Sequence, residues 1–152
     1  MKPLRIYPDT SVFGGCFDDE FSEYSLKFFE KVRIKEIRLV LSVSILEELK
    51  KAPEQVRGIL GNLPQEMIEY SKETSETLFL RDAYIKAGVV TISSIFDATH
   101  VAQASISSVD AIVSWNFKDI VQLKKIRGFR GVNVINGYPM IQILSPREVL
   151  EP

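Results

Sequence analysis

Short runs of branched apolar residues alternate along this chain with longer stretches in which apolar positions return every three or four residues. Leu4-Arg5-Ile6-Tyr7 reads as a strand stopped by Pro8, and Gly14-Gly15 marks a loop beyond it. From Ser22 to Val32 the positions Tyr24, Phe28 and Val32 repeat at helical spacing, with Phe29 beside them. Ile37 to Leu41 is a second strand rich in branched residues. Ser44 to Ala52 is a helix that must end before Pro53, because a residue preceding proline is pushed out of the helical region. Pro53 suits the first position of another helix, which Gly61 terminates.

Met67 to Tyr70 carries a weaker strand pattern. A helix follows from Thr74 to Ala87, with Leu80, Tyr84 and Ala87 inward and Gly88 as its stop. Ser94 opens a further helix carrying Ile95, Ala98, Val101 and Ala102. Ala111-Ile112-Val113 is a buried strand, Phe117 to Ile126 is helical, and Val132 to Ile135 is a last core strand before Asn136-Gly137. Ser145-Pro146-Arg147-Glu148 is a capping box with proline at the first helical position. Strands alternating with helices predict an α/β fold on a parallel sheet with right-handed crossovers, in one domain over residues 1–152.

A 152-residue domain can bury roughly 70% of its unfolded surface. The 45% hydrophobic and 26% charged composition is that of a soluble globular protein. No apolar run approaches the length of a membrane span, and no signal-peptide stretch opens the chain. A lone cysteine, Cys16, excludes an internal disulfide and a cysteine-rich zinc site, so a cytoplasmic protein is expected. A net charge of −1 argues against sequence-independent coating of nucleic acid but leaves room for a local basic rim. Lys124, Lys125, Arg127 and Arg130 form one basic cluster, and Lys31, Arg33, Lys35 and Arg38 another. Each can contact phosphate or be a solvated helix end or loop, the second more readily the latter.

Candidate chemistry enters through four acids. Asp9, Glu48, Asp97 and Asp119 each follow a predicted strand or open a predicted helix. In a parallel sheet such positions gather outside the carboxyl ends of the strands, where ligands bind. Carboxylates crowded into one crevice repel each other and take up protons unless a cation joins them. The pattern therefore predicts a Mg²⁺ or Mn²⁺ site and phosphodiester hydrolysis. The simpler alternative is that each acid is a helix cap, stabilising without function. Asp9 can cap the segment after the first strand, Asp97 lies three residues after Ser94, and Asp119 three after Asn116. Ser44 and Glu47 also have capping-box spacing, which spends Glu47 on the backbone. Glu48, about a quarter turn round the helix, is then the candidate ligand, with Glu47 the alternative.

Asp9-Thr10-Ser11, then Ser42 to Leu49 with its acidic pair, then Asp97-Ala98-Thr99-His100-Val101-Ala102, then Asp110 to Asp119 follow one another along the chain. Together and in this order, these four motifs resemble the PIN-domain ribonuclease family over nearly the whole chain. The resemblance implies a three-layer α/β/α fold with a central, mainly parallel sheet, and a Mg²⁺- or Mn²⁺-dependent endoribonuclease. Carried over by position, the metal-binding and catalytic acids fall on Asp9, Glu48, Asp97 and Asp119, with Asp9 and Asp97 as the principal ligands. Glu48 and Asp119 would act directly or through metal-bound water, one of them orienting the nucleophile. Thr10 or Ser11, and Ser114, match supporting hydroxyl positions. Asn116 stands where many relatives carry an aspartate, so it can offer a metal or water only a carbonyl oxygen. The resemblance further implies an RNA substrate, a small antitoxin protein as partner in a type II toxin–antitoxin pair, and a homodimer.

Other residues have readings of both kinds. His100, the only histidine, lies three residues after Asp97 and is more simply a packed or hydrogen-bonded residue than a catalytic acid. Trp115 and Phe117 can stack bases but suit the core better. Nothing marks Cys16 as a nucleophile. Phe13, Phe17, Tyr24, Phe28 and Phe29 can form a partner-binding arm, though helix packing accounts for them. A receiver domain would need adjacent acids after the first strand, and a dehalogenase-type phosphatase would need an aspartate where Ser11 stands. The strongest rival is a degenerate PIN module that binds RNA or protein without cleaving.

Overall fold

The computed structural model describes residues 2–116 and 122–151. Its centre is a five-stranded sheet in which β1 (Leu4–Pro8) lies between β2 (Ile37–Ser42) and β4 (Ala111–Val113). β3 (Ile68–Ser71) and β5 (Ile143–Leu144) form the edges, giving the order β3-β2-β1-β4-β5. Every pairing is parallel, with Leu4 opposite Ile37, Ile6 opposite Ala111, Leu39 opposite Ile68 and Ile112 opposite Ile143. A parallel sheet is covered on both faces, which is why Leu39, Val40 and Leu41 are all buried.

Helices complete three layers. α1 (Thr10–Gly15), α2 (Ser22–Arg33), α3 (Val43–Lys50) and α4 (Glu54–Gly61) belong to the first half of the chain. α5 (Ser75–Lys86), α6 (Ile95–Ile106), α7 (Leu123–Ile135) and α8 (Pro146–Leu150) follow. One layer is α5 packed on α6 and α7; in the other, α2 packs on α1 and α8. Tyr84 ties the first group: its hydroxyl donates to Asn133 Oδ1 at 2.5 Å, and its ring meets Phe129 edge-on at 4.9 Å. In the second group Phe13, Phe28 and Phe29 are wholly buried against one another. No helix among the described residues is long and apolar enough to cross a membrane.

Four local expectations are corrected. Gly14-Gly15 is not a loop but the end of α1, a turn nucleated by Asp9 as its N-cap. Pro53 caps α4 from outside, its ψ of 151° being extended, so the helix starts at Glu54. β2 runs one residue further than expected, to Ser42, and α3 begins one residue earlier, at Val43, so α3 is capped by Ser42, whose Oγ accepts from Ile45 N, rather than by Ser44. The branched run Val132 to Ile135 is the last turn of α7, with Val132 and Asn133 buried and Val134 and Ile135 exposed. The last strand is instead the two-residue β5. The helix expected over Phe117 to Ile126 is present from Leu123 onward; residues 117–121, including Asp119 and Phe117, lie outside the described residues.

Candidate functional site

The chain leaves β1 for β2 and β3 on one side and returns to β4 and β5 on the other, so the strand order reverses between β1 and β4. Ligands of open parallel sheets bind at such a reversal, outside the carboxyl ends of the strands. Asp9 follows β1 there, and Ser114 follows β4. Asp9 N donates to Val113 O at 3.1 Å, which draws the two strand ends together.

Hydroxyl donors bracket the Asp9 carboxylate. Ser11 N donates to Oδ1 at 3.0 Å, the Ser11 hydroxyl donates to the same oxygen, and the Ser114 hydroxyl donates to Oδ2 at 2.5 Å. Each serine oxygen then accepts from the segment after β4: Ser11 from Trp115 N at 2.9 Å and Ser114 from Asn116 N at 2.9 Å. Asp9 is 7% exposed. Burial pushes its carboxyl above the ordinary value, and the bonds from Ser11 and Ser114 pull the other way without offsetting it. A cation at the open side would relieve that burden.

A cleft of about 440 Å³ opens beside Asp9, and Glu48, Asp97 and Asn116 also line it. They come from α3, the first turn of α6 and the segment after β4. Asp18 and His100 complete its polar wall, and no lysine or arginine is among the described lining residues. The predicted site residues are thus brought to one place except Asp119, which lies outside the described residues.

Two of the cap readings fail here. Ser94 makes no side-chain cap bond, and its N–H donates to Thr91 O at 3.0 Å, so Ser94 and Asp97 form no capping box. Glu47 is not spent on the backbone, because α3 is capped by Ser42; it lines a neighbouring cleft of about 350 Å³ with Ser44 and Lys72. Direction, not capping, separates Glu48 from Glu47. The cap reading does hold for Asp9, which caps α1 while also facing the cleft.

His100 stands between the two clefts and is 5% exposed. Its Nε2 lies 3.4 Å from Glu48 Oε1, and its Nδ1 lies 2.6 Å from the Tyr7 hydroxyl. The hydrogen bond to His100 holds the Glu48 carboxyl below its ordinary value, with Thr10 adding to the effect. Glu48 is therefore a carboxylate at neutral pH although its side chain is only 42% exposed.

The donor set suits a hard cation: carboxylate and amide oxygens, no thiolate, one imidazole already engaged. Among the described residues no three of His, Cys, Asp and Glu stand close enough to hold one ion between them. Mg²⁺ does not require that, since it keeps several waters and takes one or two carboxylates together with substrate phosphate. Asp9 with Asp97 or Glu48 would provide such a set.

The remaining candidates separate clearly. Trp115 is buried, stacked on Phe21 at 4.4 Å, and its indole N–H donates to Ser25 Oγ at 2.8 Å. Cys16 is buried, and burial pushes its thiol up to about 11, which suits no nucleophile. Phe13, Phe28 and Phe29 are core. Lys31, Arg33, Lys35 and Arg38 each pair with a glutamate, as a solvated charged face does. Lys124, Lys125, Arg127 and Arg130 lie on α7. Tyr7, Ser42 and Asp18 were not foreseen as site residues. Asp18 had one signal, an acid shortly before the start of α2; Ser42 had only its place at the head of the second motif, and Tyr7 had none. No protein-family model matches this chain, and comparison with curated proteins finds no match either.

Proposed function

We propose that this protein is a metal-dependent endoribonuclease that hydrolyses RNA phosphodiester bonds in the cleft beside Asp9. One observation carries the reading: a buried carboxylate at the strand-order reversal, raised by burial, shares an oxygen-rich cleft with Glu48 and Asp97 and with no lysine or arginine among the described lining residues. Such a group of acids is costly unless a cation and a phosphate complete it.

Asp9 and Asp97 would hold Mg²⁺ or Mn²⁺, with Asp119 adding charge. The bound ion would supply Lewis-acid charge for an in-line displacement at phosphorus, acidifying water and stabilising the leaving oxygen. Glu48, held ionised by His100, accepts a proton from the attacking water and orients it. Ser11 and Ser114 keep the Asp9 oxygens aimed by spending their protons on them. The toxin role, a small protein inhibitor and a homodimer belong to the same reading and are carried by the motif resemblance.

A second reading, a degenerate module that binds RNA or a partner protein without cutting, is favoured by Asn116, whose neutral amide lines the cleft. Purified protein incubated with a mixed RNA pool separates the two. Cleavage that needs millimolar Mg²⁺ or Mn²⁺ and is lost in Asp97→Asn is the expected result. Cutting without metal, or full activity in Asp97→Asn, defeats the mechanism, and binding without cutting in either metal favours the degenerate module.

A further inference from the structure

We infer that Tyr7 is a positioning residue of this site: its hydroxyl donates to Nδ1 of His100 and holds the imidazole in the orientation in which Nε2–H donates to Glu48. The inference deepens the proposed nuclease reading, but its first test does not depend on cleavage.

Four side chains form one chain of hydrogen bonds. Ser42 Oγ lies 2.8 Å from the Tyr7 hydroxyl, that hydroxyl 2.6 Å from His100 Nδ1, and His100 Nε2 3.4 Å from Glu48 Oε1. The first two contacts can run in either direction, since a hydroxyl both gives and accepts. The far end decides. A carboxylate only accepts, so in the neutral ring it is Nε2 that carries the proton. Nδ1 is then an acceptor, and Tyr7 must donate to it. Ser42 in turn gives its proton to Tyr7 while accepting from Ile45 N at 3.2 Å. Burial raises the Tyr7 phenol above its ordinary value, which keeps it a donor at any working pH.

The ends of this relay belong to one element. Ser42 is the N-cap of α3 and Glu48 lies on α3, while Tyr7 comes from β1 and His100 from α6. Tyr7 and His100 therefore hold Glu48 towards the end of β1, next to Asp9. Tyr7 is wholly buried and touches no reacting atom, so its effect passes through His100.

Because His100 is the only histidine, ¹⁵N-histidine labelling yields one imidazole spectrum. The expected spectrum of the neutral ring is the Nε2–H tautomer with Nδ1 as a hydrogen-bond acceptor; an Nδ1–H ring overturns the inference, whether or not any variant folds. Tyr7→Phe should move the Nδ1 resonance to that of an acceptor without a donor, whereas Ser42→Ala should leave it in place, because Tyr7 then has His100 as its remaining acceptor. In the nuclease assay Tyr7→Phe should lower kcat roughly 10–100-fold, as loss of a group supporting a site residue does, with little change in KM. The melting shift produced by Mn²⁺ should shrink with it. A Tyr7→Phe protein that keeps the Nδ1 resonance and the kcat overturns the positioning role. If the unaltered protein cuts no RNA, the nuclease reading fails while the tautomer result still stands or falls alone.

Discussion

The Ser114 hydroxyl donates to the buried Asp9 carboxylate at 2.5 Å, joining the ends of the two strands between which the sheet order reverses. One bond thus serves packing and chemistry together. It closes the seam between β1 and β4, and it satisfies an oxygen that burial has stripped of water. The same hydroxyl oxygen accepts from Asn116 N, so the start of the segment leading to Asp119 is positioned by the carboxylate it faces.

Ser114→Ala should therefore destabilise the protein out of proportion to the atom removed. It leaves Asp9 Oδ2 without its donor and Asn116 N–H without its acceptor, both in a place where Ser114 itself is wholly buried. An unsatisfied buried polar group costs about 1–3 kcal/mol. Urea unfolding should show the midpoint fall with an unchanged m-value. A midpoint equal to the parent's would mean that water replaces the hydroxyl and that the bracket adds nothing.

Asp9→Asn should raise the stability of the metal-free protein. The Asp9 carboxyl is raised by burial, so between its unfolded value of about 3.8 and its folded value the native state binds a proton that the unfolded chain has lost. Native binding of more protons means stability falls as pH rises through that window and stays lower above it. Asparagine removes the charge and with it that loss. Differential scanning at pH 7 without divalent metal should show a higher Tm for Asp9→Asn, a change of about 2–4 °C for each kcal/mol recovered. In millimolar Mg²⁺ or Mn²⁺ the parent should gain stability as a native-state ligand demands, and the variant should not. A lower Tm in the variant without metal counts against the burial argument.

What could be read in the chain beforehand followed from local signals. β1, β2 and β4 are apolar runs bounded by breakers; Gly88 was foreseen as the stop of α5 and has a φ of 76°, and the Ser145–Glu148 capping box forms as its spacing requires. Where local signals compete, tertiary structure decided. Val132 to Ile135 looks like a strand by composition, but α7 packs on α5 and the Asn133 side chain is fixed by Tyr84 and Ser105. β5 is too short for any period to show. Asp9 and Asp97 were legible because they stand at the starts of α1 and α6. The relay that aims Glu48 was not, because Tyr7 and His100 are 93 positions apart and nothing local to Tyr7 points to His100.

Glu48 should contribute to stability in the opposite pH sense from Asp9. The hydrogen bond to His100 lowers its folded value below an unfolded value of about 4.5. A lowered acid stabilises the native state above its unfolded value and loses that contribution as pH falls through the folded one. The gain is small, because a side chain 42% exposed is screened by solvent. Glu48→Gln should thus cost little at pH 7, and that cost should vanish as pH falls through the folded value and the parent's carboxyl takes up its proton. Parallel denaturation curves over that range should converge towards acid. Curves that diverge on acidification contradict the assigned bond.

Gly15→Ala should disturb the cleft wall through a single methyl group. A Cβ there would lie 2.5 Å from Ser25 Oγ and 2.8 Å from Trp115 Nε1. Those two atoms are hydrogen-bonded to each other at 2.8 Å, and Ser25 Oγ also donates to Val12 O. The methyl must displace the indole or the hydroxyl, and overpacking of this kind costs about 1–3 kcal/mol. Trp115 is the only tryptophan, so its fluorescence reports the displacement directly, and the Phe21 ring stacked on it would have to move as well. Ser25→Ala removes the nearer of the two clashing atoms. The double variant should accordingly be less destabilised than the sum of the singles, the coupling expected of residues in contact. Strict additivity, with an unshifted Trp115 emission in Gly15→Ala, would show that α1 yields at its last turn and that this wall of the cleft is softer than its packing indicates.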